Sequence, residues 1–556
     1  MKTPRFPFPV GGLALLPMLW TAVPLLAQEE SAAVADSAPS RFGPLDWSVL
    51  AIYFLGMVAV GCYCARRGST SEDYFLAGGR IPWWAAGLSI YGSQLSAITF
   101  MAVPAILFTE GGNWTRIIGG WTILLIAPLI IFFYLPLFRR LKIQTAYEYL
   151  ERRFHLAVRL VASAIFIIFQ VGRMGVVLLL PAAAIAAATG INVLLAVVLM
   201  GILAMTYTVL GGIEAVIWTD VVQVVVLIGG AILCVGVATF AVGGPVEVYQ
   251  VAAQADKLTL FDWSTDTSRA STWVLLVGLT FINLISYTTD QAVVQRYLAT
   301  SDERAAARSI WLNGLMTIPT GFLFFALGTS LWVFYQVHSG ALMPDNADQV
   351  VPWFIITQLP TGISGLVIAA IFAAAMSSLD SSMNAVASAF INDFWIRLRG
   401  RSQPEVELRL ARLITLLIGI VGTGLALIIA VTGVTSLFDY FNLMLGMLGG
   451  GLAGVFLLAV FTTRAHWIGA LSGLLVGSVA TAVVHFHPAL HVYLAGAAGT
   501  VTCFVVGYVV SWAVPLPSSD LTGLTIYTLS KRAEPEFSPE LTPADASASQ
   551  VLESPL

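Results

Sequence analysis

From Asp46 to Val514 the chain is written in long apolar runs joined by short polar connections, and its charged residues fall almost wholly in the connections. A membrane-spanning helix needs about 20 mainly apolar residues. Thirteen segments after the N-terminus meet that requirement, at about 46–64, 83–108, 116–138, 156–188, 191–211, 215–242, 272–298, 308–337, 356–395, 409–432, 435–461, 467–486 and 490–514. Lipid offers backbone groups no hydrogen-bond partners, so only helices or closed barrels cross it, and runs this long predict helices. The expected fold is an all-α polytopic membrane protein with about 13 transmembrane helices.

The ends read differently. Lys2 and Arg5 precede an apolar stretch from Val10 to Leu26, and polar residues begin at Gln28, which predicts a signal peptide over residues 1–27. The competing reading is an uncleaved extra span, because Leu25 is a poor residue three before the cut. Residues 28–45 form a short extracytoplasmic segment, 46–514 the membrane domain, and 515–556 a Pro-, Ser-, Ala- and Glu-rich tail expected to be disordered.

Polar residues inside the apolar runs carry the chemistry. Ala373-Ala374-Ala375-Met376-Ser377-Ser378-Leu379-Asp380-Ser381-Ser382 sets hydroxyls and a carboxylate in the middle of a long helix. An ionised Asp near a bilayer centre costs about 2.5 to 3.5 kcal/mol on insertion scales, so it needs a partner, and hard oxygen ligands suit a small bare cation such as sodium. In the run from Trp84 to Phe100, Gly92, Ser93, Gln94, Ser96 and Thr99 follow one another at mid-depth. Small-residue packing accounts for Gly and Ser; Gln94 points instead to an unwound, ligand-binding break.

Arg173, in Phe169-Gln170-Val171-Gly172-Arg173-Met174-Gly175, lies too deep to reach an interface. Either it pairs with an internal carboxylate, or its planar fork clamps a substrate carboxylate. Asp220 and Asp290 lie within or near the ends of spans, and Asp290 has the position of a helix-end hydrogen-bond partner.

Composition agrees: 58% of residues are apolar, 10% charged, and the mean hydropathy is +0.86. The net charge of −4 hides an asymmetry, since 20 of the 27 Lys and Arg fall in one alternate set of connections, a set that includes Arg296, and only four in the other. By the positive-inside rule the rich set is cytoplasmic, which puts the mature N-terminus outside and the C-terminus inside. Cys62, Cys64, Cys234 and Cys503 all lie in spans and read as packing residues. No zinc signature, nucleophile elbow, phosphate loop or dinucleotide fingerprint occurs, so an enzyme is not expected, nor is a nucleic-acid partner.

Several motifs together carry a family resemblance: Asp73-Tyr74-Phe75-Leu76-Ala77-Gly78-Gly79-Arg80, Leu95-Ser96-Ala97-Ile98-Thr99-Phe100, Thr145-Ala146-Tyr147-Glu148-Tyr149-Leu150, Leu210-Gly211-Gly212-Ile213-Glu214, Asp290-Gln291-Ala292-Val293-Val294-Gln295-Arg296-Tyr297 and the Ser377 cluster. From about Asp46 to Trp512 the chain resembles the sodium/solute symporters, most closely their bacterial sodium/sialic-acid branch.

The resemblance implies a LeuT-type core of two inverted five-helix repeats, about 83–242 and 272–461, with sites near the midplane between them. It implies a general sodium site from the carbonyls of Gly92, Leu95 and Ala374 and the hydroxyls of Ser377 and Ser378, and a second from Ser378, Ser381, Asp380 and Asp220, hence one or two Na+. Asp380 stands where relatives usually have Ser or Thr. For substrate it implies a carboxylate on Arg173 with polar contacts from Ser96 and Thr99, while Gln94 and Gly120 replace a Thr and a Gln.

The function expected is sodium-driven symport of a small organic solute by alternating access in the cytoplasmic (inner) membrane, best a carboxylate-bearing sugar such as sialic acid. The alternatives are a neutral sugar or polyol such as glucose, galactose or inositol, in which case Arg173 is a structural ion-pair partner, and, from other classes, an ion channel or a membrane sensor.

Overall fold

The computed structural model describes residues 42–65, 70–338, 343–344, 347–399, 404–432, 437–514 and 520–529. The signal-peptide reading of 1–27, most of the 28–45 segment and most of the tail lie outside the described residues. The longer helices are α1 (Pro44–Ala65), α2 (Trp83–Gln94), α3 (Ala97–Ala105), α4 (Trp114–Arg140), α5 (Ala146–Arg153), α6 (Leu156–Thr189), α7 (Val193–Val242) and α8 (Thr272–Thr288). They continue with α9 (Gln291–Leu298), α10 (Glu303–Val337), α11 (Ile363–Arg399), α12 (Pro404–Thr432), α13 (Leu437–Phe461), α14 (Trp467–Phe486) and α15 (Leu494–Ala513). Among the described residues there is no strand.

Polar residues mark the helix ends. Asn192 caps α7 by accepting from the Leu194 amide at 2.8 Å, Asp302 caps α10 through Ala305 at 2.8 Å, and α6 stops at Gly190 with φ +73°.

Nine of the described helices are long and apolar enough to cross a membrane, or up to eleven if each bent pair counts as one span. The difference from the sequence count of thirteen lies at two places. The spans expected at 191–211 and 215–242 run together as α7, two helices joined across a kink, and in α13 the described side chains begin at Gly449, leaving the apolar stretch Gly449–Phe461. A helix of 50 residues rises about 75 Å, more than twice the hydrocarbon thickness, so α7 cannot be a single straight span. It breaks at Gly212, where φ is +58° and ψ −153°. A Cβ there would stand 2.6 Å from the Tyr74 carbonyl, so glycine alone serves both the conformation and the contact.

The two bent pairs position the site. α2 and α3 meet at 57°, α8 and α9 at 58°, one pair near the start of each expected repeat. α11 is the centre of the bundle: 89% of its apolar window is buried, against 28% for α1. It packs on α7, α6, α1 and α12, so every oxygen of the Ser377 cluster is removed from both lipid and bulk water.

Candidate functional site

The first break arises because α2 stops at Gln94 and Leu95 leaves helical geometry at φ −83°, ψ 89°. Its Ser96 begins α3 in an extended conformation without using its side chain as a cap. The last carbonyls of α2 therefore have no following turn to accept from. Arg173 of α6 reaches one of them, donating through Nη2 to the Ser93 carbonyl at 2.9 Å.

Beside this break lies a cavity of about 220 Å³. Gln94, Ser96, Thr99 and Arg173, the four expected substrate contacts, all line it. Phe166 and Phe169 of α6 supply apolar walls, and Asn283, Ser286, Thr289 and Asp290 face it from the second bent pair. Those six were not picked out as cavity residues by the sequence. The signal was present in Asn283, Ser286 and Thr289, which recur every third residue on an otherwise apolar helix. Gly120 is not among the lining residues and packs toward Thr317 of α10.

Arg173 meets both of its sequence readings at once. It lines the cavity, and its Nη1 stands 3.7 Å from Oδ2 of Asp290, while its Nε is buried without a partner. Asp290 also caps α9, accepting from the Ala292 amide at 2.9 Å, and it accepts from Gln170 Nε2 at 2.9 Å. Gln170 in turn accepts from Ser382 Oγ at 3.1 Å, which joins the cavity wall to α11.

On the other face of the break, the Ser377 hydroxyl approaches Gly92; a Cβ on Gly92 would lie 3.5 Å from Ser377 Oγ and 2.8 Å from Val224. Ala374, Ser377 and Ser378 share a helix face through their three- and four-residue spacing. Ser378 Oγ is buried and makes no hydrogen bond. A buried hydroxyl without a partner costs free energy, so an oxygen-coordinated cation fits this position.

Asp220 sits elsewhere in the network. Its Oδ2 pairs with Arg296 Nη2 at 2.9 Å and accepts from Ser89 Oγ, and its Oδ1 accepts from Ser377 Oγ. Arg296 also donates to the Ala292 carbonyl and to Ser381 Oγ. The sequence grouped Arg296 with the connecting-loop cations. The structure instead buries it completely in α9, where one amphipathic turn after the helix break carries it inward. Of the four residues carried over to a second sodium site, Asp220 and Ser381 bond to Arg296, Asp380 accepts from Tyr207 Oη at 2.8 Å and from Ser381 Oγ at 3.3 Å, and Ser378 Oγ has no hydrogen-bond partner.

At the far end of α11, Asp393 accepts from Thr145, Ser163 and Arg159, and Arg159 continues to Glu151, which also holds Arg397. Burial favours the neutral form of Glu151, but the Arg397 and Arg159 guanidiniums outweigh it and hold the carboxyl below its ordinary range.

Broken helices around a cavity, a buried guanidinium and an oxygen cluster are the features of a secondary transporter of the coupled type. The profile of the sodium:solute symporter family matches residues 74–477, and the chain belongs to that family. It is 39% identical over 473 residues to the sodium/sialic acid symporter SiaT of Proteus mirabilis, covering 84% of this chain and 94% of that protein. It is 39% identical over 500 residues to the sodium/sialic acid symporter NanT of Aliivibrio fischeri, covering 89% and 97%. The human sodium/iodide cotransporter is 32% identical over 441 residues, covering 77% and 68%.

Among solved structures, a substrate-bound, outward-open Na+-coupled sialic acid symporter superposes with a TM-score of 0.81 at 37% identity, covering 86% of this chain and 99% of that one. A nucleobase-cation-symport-1 transporter, at 15% identity and a TM-score of 0.55, shares the fold, covering 80% and 96%. The fold is of the LeuT type, and the chain is a multi-pass, sodium-coupled transporter and not an enzyme.

Proposed function

We propose that the chain imports a small carboxylate-bearing solute, an acidic sugar of the sialic-acid kind, down the sodium gradient across the cytoplasmic membrane. The observation that carries this is Arg173: a guanidinium lining the cavity with an unpartnered Nε offers a planar fork to a carboxylate. Gln94, Ser96 and Thr99 supply hydroxyl and amide partners from the broken helix. The general sodium site takes Gly92, Leu95 and Ala374 carbonyls with Ser377 and Ser378. The N-terminus faces outward and the C-terminus the cytoplasm, as the cation asymmetry supports. The names of the 39%-identical relatives support the substrate class.

Sodium acts by binding one state better than the other, which is all a ligand can do to shift an equilibrium. Each net positive charge moved inward at about 100 mV supplies about 2.3 kcal/mol, roughly forty-fold in accumulation.

A neutral sugar is the second reading, favoured by the 3.7 Å contact that already gives Arg173 a carboxylate in Asp290. Uptake of labelled N-acetylneuraminate and glucose into proteoliposomes, with and without an inward sodium gradient, separates the two. Sodium-driven sialate uptake that Arg173→Ala abolishes supports the acidic substrate. Glucose uptake indifferent to Arg173→Ala leaves symport standing and removes the acidic substrate.

A further inference from the structure

Among the described residues the walls of the cavity carry two charged side chains, Arg173 and Asp290, and the other residues that line it are neutral. Both charged side chains are buried, each 9% exposed. Arg296 acts on the same two groups from nearby, but it does not line the cavity, and its charge is met by Asp220 at 2.9 Å. The cavity's own charges therefore cancel, one guanidinium against one carboxylate.

The two oxygens of Asp290 are held differently. Oδ1 accepts from the Ala292 amide and from Gln170 Nε2, each at 2.9 Å, which fixes the carboxylate to α9 and α6. Oδ2 makes no hydrogen bond among the described residues and faces Arg173 Nη1 at 3.7 Å, beyond hydrogen-bond length. Arg173 uses Nη2 on the Ser93 carbonyl and leaves Nε free. A second carboxylate can thus reach the guanidinium while Asp290 stays in place. Two carboxylates on one guanidinium leave a negative charge unmet, which is unfavourable in so buried a place. A cation beside the cavity removes that cost. Leu95, whose carbonyl is an expected sodium ligand, lies between Gln94 and Ser96, and both of these line the cavity.

We infer that Asp290 is a resident counter-ion that makes the binding of a carboxylate substrate conditional on sodium. Arg173 supplies the attraction, and Asp290 cancels enough of it that the substrate anion alone binds poorly. Sodium and substrate together restore neutrality, so the pair loads where the anion by itself does not. Without the Asp290 charge the guanidinium would hold the anion unaided, and binding would no longer draw on the sodium gradient. The inference rests on the acidic-substrate reading above and adds to it the residue that enforces coupling. The competing account leaves Asp290 as nothing more than the cap of α9. Asparagine caps a helix N-terminus as well as aspartate does and accepts the same two hydrogen bonds, so Asp290→Asn keeps the cap and removes the charge.

Equilibrium binding of labelled N-acetylneuraminate to the purified full-length chain in detergent, in sodium and in choline at equal ionic strength, tests this. The wild type should bind tightly in sodium and weakly in choline. Asp290→Asn should bind about tenfold tighter than wild type in choline and lose the same factor from its response to sodium. Adding Arg173→Ala to Asp290→Asn should abolish that gain. If Asp290→Asn does not fold, Asp290→Ser, another uncharged cap, is read in the same way. An unchanged response to sodium in the variant overturns the inference, and so does an equal weakening in both buffers, which is what a lost cap would give. A wild type that binds equally well in sodium and in choline overturns it whatever the variants do. No binding by the wild type at saturating sodium removes the acidic-substrate reading itself, and the inference with it.

Discussion

Arg296→Met is the most informative perturbation of the core. In the folded chain the Arg296 guanidinium is fully buried, 2.9 Å from Asp220 Oδ2, and it also holds Ser89, Ser381 and the Ala292 carbonyl. Removing one member of a buried ion pair strands the other charge, which costs about 3 to 5 kcal/mol. Methionine conserves most of the stem and its packing, so the loss measures the stranded Asp220 more than a cavity. On a scale where tenfold is 1.4 kcal/mol, 3 kcal/mol lowers the folded-to-unfolded ratio more than a hundredfold.

Asp220→Asn paired with Arg296→Met removes both charges and should recover most of that loss. The assay is equilibrium unfolding of the purified protein in mixed micelles, run as a double-mutant cycle in sodium-free buffer and again at high sodium. Sodium that binds next to the stranded Asp220 carboxylate should narrow the deficit of the single variant and leave the double variant unaffected. A single-variant loss under 1 kcal/mol, or a double variant no better than the single, would refute the claim that this pair compensates buried charge.

Two further outcomes follow from local geometry. Gly212→Ala forces a side chain into φ +58°, ψ −153°, a region open essentially to glycine, and sets its Cβ 2.6 Å from the Tyr74 carbonyl; it should cost at least about 2 kcal/mol in thermal unfolding. Gly229→Ala on the same helix, where a Cβ meets nothing within 4 Å, should be neutral or slightly stabilising, and equal losses at both positions would defeat the argument. At Glu151 the folded carboxyl titrates below its unfolded value of about 4.3, so its contribution is present in full above that value and disappears as pH falls through the folded one. The stability difference between wild type and Glu151→Gln should be flat above about pH 5.5 and shrink below about 4; a difference that grows on acidification contradicts the sign.

The sequence made the membrane class, the break at Gly92 to Ser96 and the depth of Arg173 legible, because each is a polar interruption of an apolar run and lipid tolerates few of these. Arg296 escaped for the opposite reason. The segment Gln291–Leu298 is short and amphipathic, so its cation looks like a loop charge until the 58° bend turns α9 under the bundle. Gln291 and Gln295, four residues apart beside Arg296, were the available sign that this turn faces a polar interior. The two-span reading of α7 had the right boundary at Gly211-Gly212, but only the backbone shows that hydrogen bonding continues on both sides of the break. Asp290 was legible as a cap; its contact with Arg173 joins residues far apart in sequence and needed the fold.

The two bent spans are also tied together chemically, and α9 is the tie. Its first turn is capped by Asp290, which touches the cavity guanidinium Arg173; its second turn carries Arg296, which holds Asp220, and Asp220 holds Ser377 of the α11 oxygen cluster. A substrate carboxylate that takes Arg173 competes directly with Asp290, the group that starts α9. A cation beside Ser377 alters the field at Asp220, the group that anchors its other end. At the proposed sites both ligands would therefore act on one eight-residue helix. Because coupling between sites is reciprocal, the shift in sodium affinity caused by saturating substrate must equal the shift in substrate affinity caused by saturating sodium. Arg296→Met cuts this path at its middle while touching no cavity-lining atom, so it should reduce both shifts together.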